Sequence, residues 1–390
     1  MTSPRFIRGL HSYLDHWLRE TADLDDVTIR RLNPDFPGLL KIVELGLMLP
    51  ETRPKTAELI LQCFFWVEQV GYVPVWQPLV ATAIQRVPTQ NSILHFRLLK
   101  QLGQLQRLQH QLDTAVATLQ QAEQLAHVLA DDQAVAEIHM NFCQVFHLQG
   151  KYEAAETYGR LALDRLPQDL PKLRGIILRT LGTVAQEQGK WGLAENYLQD
   201  ALKTSFVLKE RTLTLNVLAV NFQAQAQYDQ ALDTYDELLT LMDSDVGTTL
   251  FVYVLLNKGS LLHDLNHLDK AELVFKEAEN LLRQRPGMFF LKALTANNLG
   301  CIWRDQKQFS LAEASFRRSI QQFVQVGSEI YEANAWGNLA KLYAQQARTN
   351  EAIVCYDTAL ARVSNYSDNV YAQKLRTHYT RSRDELGQPG

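Results

Sequence analysis

Seven times along this chain a small residue is followed, twelve positions later, by alanine. The small residues are Gly103, Cys143, Gly182, Ala219, Gly259, Gly300 and Ala340, and the alanines are Ala115, Ala155, Ala194, Ala231, Ala271, Ala312 and Ala352. With alanine at roughly a tenth of residues, seven matches in seven arise by chance about once in ten million trials. The pairs recur every 40, 39, 37, 40, 41 and 40 residues. Two helices that cross 8–10 Å apart need a small residue on one side, and a large one there would wedge them open. An aromatic such as Tyr235, Phe275, Phe316 or Tyr356 is then free to fill the adjacent groove. The repeat therefore predicts a series of antiparallel helical hairpins. Few prolines and glycines, 12 and 19 in 390 residues, agree with a chain that is mostly helix.

The most complete copy reads Trp336-x-x-Leu339-Ala340-x-x-Tyr343, then Ala352-x-x-x-Tyr356-x-x-Ala359, and it resembles the tetratricopeptide (TPR) helix-turn-helix pattern. The resemblance implies an all-α fold: a right-handed superhelical solenoid of TPR hairpins with helical caps. Three regions follow from the register. Residues 1–90 form an N-terminal helical cap or degenerate repeat region, residues 91–366 hold seven TPR-like repeats, and residues 367–390 form a C-terminal capping helix and tail. Two departures from the family pattern matter. The period is near 40 rather than 34, and the proline that usually closes the second helix survives only as Pro167. Longer helices or loops are expected, with Val128–Gln133 and Met242–Thr248 as places for them. Glycine in Gly150-Lys-Tyr and Gly189-Lys-Trp suits the left-handed end of a helix.

The long period also resembles the sensor repeats of STAND-class signalling ATPases and of bacterial peptide receptors. In the first 90 residues, helices are expected over Phe6–Glu20, Phe36–Leu49, Lys55–Val70 and Trp76–Arg86, with Pro34, Pro50 and Pro74 as stops. This region reads either as the cap that a solenoid needs to cover its last apolar face or as an output module. The stretch Leu32-Asn33-Pro34-Asp35-Phe36, followed by Trp66, Gly71-Tyr72 and Trp76, is similar to the helical linker of STAND ATPases. At the other end, Asp368–Leu386 reads as a capping helix with Tyr371, Leu375 and Tyr379 on one stripe.

Composition narrows the function classes. A formal charge of −4 gives no overall positive field to gather nucleic acid or an anionic membrane. The longest apolar run, Leu250 to Leu256, is far short of a bilayer span, and the expected location is the cytoplasm. Cys63, Cys143, Cys301 and Cys355 stand far apart and are expected to be reduced and packed. No phosphate-binding G-x-x-x-x-G-K-[ST] motif, G-x-S-x-G or H-E-x-x-H occurs. His263 and His267 are spaced for a metal but straddle a predicted turn. No catalytic, cofactor or metal-binding residue is assigned, and an enzyme is not expected.

What remains is surface. With the small residue numbered as column eight, the resemblance implies that columns two, five, six, nine and twelve of each first helix line the concave wall where a ligand sits. Asparagine recurs there, as Asn141, Asn257, Asn298 and Asn338 in column six and as Asn216, Asn297 and Asn334 beside it. Asparagine is a poor helix residue, so its recurrence reads either as an amide ladder for a peptide backbone or as bonding within the scaffold. Ile176, Leu213, Val220, Tyr253, Leu256 and Leu294 occupy positions that an idle array leaves facing solvent, unless inter-repeat packing buries them. Arg97, Lys100, Arg107, Arg179 and Arg304 give the wall a cationic tint suited to a carboxylate. The expected function is a non-catalytic scaffold for a protein or peptide segment in bacterial signalling. The alternative is a ligand-gated regulator, answering to a peptide or a small molecule, that acts on an effector in trans.

Overall fold

The computed structural model describes residues 3–24, 26–88, 92–204, 208–242, 249–283, 285, 287–366 and 369–387. Among them every regular element is helical, and the chain divides into two compact units, Met1–Glu210 and Arg211–Gly390.

The first unit opens with α1 (Pro4–Glu20), α2 (Asp26–Leu32), a 3-10 turn (Asn33–Asp35), α3 (Phe36–Met48), α4 (Arg53–Gln62), α5 (Phe64–Val70) and α6 (Val73–Arg86). Three expectations change here. Helix α2 is additional, the segment 55–70 is broken at Cys63 into α4 and α5, and Pro74 begins α6 instead of stopping a helix. Proline fits a first turn because the N–H it lacks has no partner there. Phe36 stacks on Tyr72 at 3.7 Å between ring centres and meets Trp66 edge-on at 5.3 Å. Asn33 Oδ1 accepts from Tyr72 Oη at 3.0 Å and from Trp66 Nε1 at 3.4 Å. This core continues through Trp76 into Leu94, Leu98 and Leu105 of the next helix, so the N-terminal region has no core of its own.

Seven hairpins follow. They are α7 (Ser92–Leu108) with α8 (Leu112–Val128), α9 (Asp132–Leu148) with α10 (Tyr152–Arg165), and α11 (Pro171–Glu187) with α12 (Trp191–Thr204). Next come α13 (Leu208–Ala224) with α14 (Tyr228–Leu241), α15 (Thr249–Asp264) with α16 (Leu268–Arg283), α17 (Phe289–Asp305) with α18 (Phe309–Gln325), and α19 (Glu329–Gln345) with α20 (Thr349–Val363). Helix α21 (Val370–Gly387) packs on α19 and α20.

All seven column alanines are fully buried. The small column is tighter still. A Cβ added to Gly103 or Gly182 lies 2.7 or 2.8 Å from Leu119 or Leu198, and one added to Gly259 or Gly300 lies 2.5 or 2.6 Å from the ring of Phe275 or Phe316. In α9/α10 the sizes are exchanged. Cys143 stands in the small column and Gly159 faces it, where an added Cβ sits 3.2 Å from Cys143 Sγ and 2.5 Å from Leu181.

The hairpin turns share one geometry. Three residues separate the helices, and the middle one is left-handed in every case: His110, Gly150, Gly189, Ala226, Asn266, Lys307 and Ala347. The residue after it donates its N–H to the carbonyl five positions back, as Lys151 does to Phe146 at 2.9 Å and Arg348 to Tyr343 at 2.9 Å. Glycine thus marks two turns of seven. The long period goes into helix length, since the first helices run 16 or 17 residues. Val128–Gln133 is no long loop; α8 ends and α9 begins across a tight three-residue turn with Ala130 left-handed. Of Met242–Thr248, Met242 caps α14 and 243–248 lie outside the described residues, as do 367–368 and 388–390. On α21 the packed stripe is Ala372, Leu375 and Tyr379, with Tyr379 against Gly337, and Tyr371 lies at its exposed edge.

Candidate functional site

Within each unit the first helix of one hairpin packs on the first helix of the next, α7 on α9 on α11, and α15 on α17 on α19 on α21. This juxtaposition brings equivalent columns together, and the two units use them differently.

In Arg211–Gly390 the asparagines bond across repeats. Asn257 Nδ2 donates to Asn216 Oδ1 at 3.2 Å, and Asn338 Nδ2 donates to Asn297 Oδ1 at 3.1 Å and Asn334 Oδ1 at 3.0 Å. Asn297 Nδ2 donates to Asn334 Oδ1 at 3.4 Å, and Asn334 Nδ2 reaches Tyr371 Oη at 2.6 Å. A primary amide carries two donor hydrogens and two acceptor lone pairs, so these bonds occupy part of each group's capacity. Asn298 is half-buried and makes no hydrogen bond among the described residues.

In Met1–Glu210 the same column turns inward. Asn141 is only 1% exposed and donates to its own helix at Glu137 O, 2.7 Å away. Gln101 reaches Ile60 O at 3.4 Å, and Thr180 Oγ1 returns to Ile176 O at 2.9 Å. Burial takes Asn141 off any accessible face, which corrects its place in the expected ladder.

The apolar positions divide as well. Val220 and Tyr253 are exposed at 40% and 37%, and Leu213 and Leu294 are half-buried. Leu256, at 5%, is a packing residue, contrary to expectation. It shares column five with Asn297, also largely buried, because that column points at the neighbouring first helix. Sequence reasoning missed the aromatic neighbours. Tyr331 lies 5.0 Å from Phe290 and 5.9 Å from Tyr371, and both tyrosines keep more than a third of their surface open. Tyr253 joins this group: burial, with Tyr331 adding a smaller effect, raises its hydroxyl above the ordinary tyrosine range. The available signal was spacing, since Tyr371 follows Asn334 by 37 residues in column two, as if α21 were an eighth first helix.

Most expected cations already have partners. Arg97 pairs with Glu58 at 2.8 Å, Lys100 with Glu137, and Arg179 with Glu210 at 2.6 Å. Arg304 grips Asp305 through Nε at 2.8 Å and Nη2 at 3.1 Å, while His263 Nε2 lies 2.7 Å from the same carboxylate. Burial opposes the Asp305 charge, but hydrogen bonds from Arg304 and His263 more than offset it and hold the carboxyl below its usual range. Among the described residues no three His, Cys, Asp or Glu side chains converge as a metal site. All four cysteines are free thiols, and burial pushes Cys63 and Cys143 up to about 12. No helix among the described residues is long and apolar enough to cross a membrane.

Residues 134–205 and 333–362 match tetratricopeptide repeat family models. Both stretches are tetratricopeptide repeats. They cover the second, third and seventh hairpins, and the remaining hairpins carry the same columns. Among solved structures, the apo form of the quorum sensor NprR from B. thuringiensis is similar over 92% of this chain and 99% of its own, at 14% identity and a TM-score of 0.61. Apo RapI is similar over 70% of this chain and 99% of its own, at 10% identity and a TM-score of 0.56. A Rap protein complexed with Competence and Sporulation Factor is similar over 85% and 99%, at 12% identity and a TM-score of 0.54. These likenesses show a shared tetratricopeptide-type helical fold. No curated protein matches the chain.

Proposed function

We propose that this chain is a non-catalytic TPR scaffold that binds a protein or peptide segment on the first-helix face of Arg211–Gly390. One observation carries the reading: Tyr253, Tyr331 and Tyr371 stand part-open beside amides that retain unused hydrogen-bonding capacity. Tyrosine offers large contact area at low entropic cost, and asparagine bonds an extended backbone without regard to its side chains. Asn216, Asn257, Asn298 and Asn338 serve the backbone, while Asn297, largely buried, holds Asn334 and Asn338 in place. Leu213, Val220, Tyr253 and Leu294 receive apolar side chains. The setting we favour is bacterial signalling in the cytoplasm. The likeness to a quorum sensor and to a Rap protein complexed with a factor favours a second reading, in which the bound segment gates an effector in trans.

The test is affinity selection by the full chain from synthetic linear nonapeptides with free termini, read by mass spectrometry. Tyr253→Ala should weaken the selected peptides by about 2 kcal/mol while folding stability changes much less, and Asn298→Ala should act in the same direction. Selection of no peptide, or unchanged affinity in both variants, overturns the proposal. A change in small-angle scattering on binding selects the gated reading over the static one.

A further inference from the structure

We infer that a cleft between α16, α17 and α18 is a binding site for a phosphoryl group, present as free phosphate or as the ester of a small polyol. The cleft holds about 230 Å³, and its polar lining is Glu279 and Arg283 of α16, Lys292 and Thr295 of α17, and Arg318 and Gln322 of α18. That is below the roughly 300–1,000 Å³ of sites for drug-sized ligands, so its occupant is compact. None of these residues belongs to the face proposed above for a peptide, and the inference does not rest on that reading.

Charge selects the occupant. Three cations stand around one carboxylate, which leaves an excess of two positive charges in the lining. Arg318 donates through Nη2 to Glu279 Oε1 at 2.7 Å and to Ser315 Oγ at 3.4 Å, and its Nε and Nη1 make no hydrogen bond among the described residues. Arg283 Nη2 lies 3.8 Å from the other Glu279 oxygen, beyond hydrogen-bonding reach. Lys292 Nζ donates to Arg285 O at 2.6 Å and has no carboxylate partner among the described residues. An ammonium has three hydrogens, so two remain for a ligand. Lys292 is half-buried while both arginines are exposed, so water screens the guanidiniums more and Lys292 supplies the larger share of the attraction. Gln322 Oε1 is buried and accepts no hydrogen bond among the described residues. Thr295 Oγ1 spends its hydrogen on Leu291 O at 2.8 Å and offers only acceptor capacity. These oxygens call for a hydroxyl beside the anion. A carboxylate answers one charge and brings no donor. A phosphoryl group carries close to two negative charges at pH 7 with three acceptor oxygens and matches a guanidinium fork. Its P–OH, in free phosphate, or a hydroxyl of the esterified polyol supplies the donor.

Calorimetry on the full chain in chloride-free buffer tests this with inorganic phosphate, glucose 6-phosphate and glucose at millimolar concentration. Phosphate, glucose 6-phosphate or both should bind, and glucose should not. Lys292→Gln should weaken binding about tenfold, the yield of one charge-assisted contact, and Lys292→Arg should restore it. Glu279→Gln should tighten binding, because the competing carboxylate loses its charge; a residue that merely held the helices together would not act in that direction. Affinity should rise between about pH 5 and about pH 7, as the second phosphoryl proton, with a pKa near 6, is lost. Tighter binding of glucose 6-phosphate than of phosphate assigns the site to an ester, and equal or weaker binding assigns it to the free anion. No heat from either phosphorylated ligand, or binding indifferent to Lys292→Gln, overturns the site.

Discussion

In Met1–Glu210 the first-helix cations Arg97, Lys100 and Arg179 meet carboxylates, and the column-six side chains Asn141 and Thr180 bond back to their own helices. In Arg211–Gly390 columns two, five and six hold amides that bond from repeat to repeat, with part-open Tyr253 and Tyr371 in column two and part-open Tyr331 one helical turn before Asn334. Both units share a scaffold, fixed by identical alanine columns and identical turns. The contrast teaches that column identity alone does not make a ligand site. A column-six asparagine can be spent inside one helix turn or held in a network with capacity left over, and its neighbours decide which.

The largest expected effect tests the shared part. Ala115→Leu in the first unit and Ala312→Leu in the second should each lose about 1–3 kcal/mol through overpacking of a fully buried crossing. Urea unfolding that leaves either variant unchanged breaks the claim of a common frame. Next comes the amide contrast. Asn297→Ala removes bonds to Asn334 and Asn338 and should cost about 1–2 kcal/mol. Asn141→Ala should stay within about 0.5 kcal/mol, since alanine is the better helix former and the lost bond is local. Equal losses would erase the difference between the units. The smallest effects lie in the turns. Ala347→Gly should raise stability by about 0.5 kcal/mol and Gly150→Ala lower it by about 1 kcal/mol, because both positions are left-handed. Opposite signs in the urea midpoints check this.

The repeat was legible because helix crossings impose size on specific residues; Gly259 faces Phe275 and Gly300 faces Phe316 too closely for any side chain to intervene. The turns were mostly illegible, since His110, Ala226, Lys307 and Ala347 adopt the left-handed state without a residue that advertises it. Hydrogen bonding and packing supply that conformation, and local preference does not. At the N-terminus the break at Cys63 escaped notice because an apolar run reads alike whether it is one helix or two. The site was half legible. Asparagine recurrence located the network, but periodicity does not reveal that Leu256 faces a neighbouring helix while Tyr253, three residues earlier, faces outward. Tyr331 lay outside every column considered, one helical turn before Asn334.

The exchange of sizes in α9/α10 carries a consequence for how such a chain is rearranged. Cys143 lies opposite Gly159, where an added Cβ would come within 3.2 Å of its Sγ. A crossover between whole hairpins moves both members together and keeps the match. A crossover inside a hairpin, joining this first helix to the second helix of another repeat, sets a thiol against Phe275 or Phe316, and the reciprocal product sets glycine against glycine around a void. Duplication, deletion and laboratory shuffling of this array should therefore tolerate breakpoints between the modules and reject those within the second one.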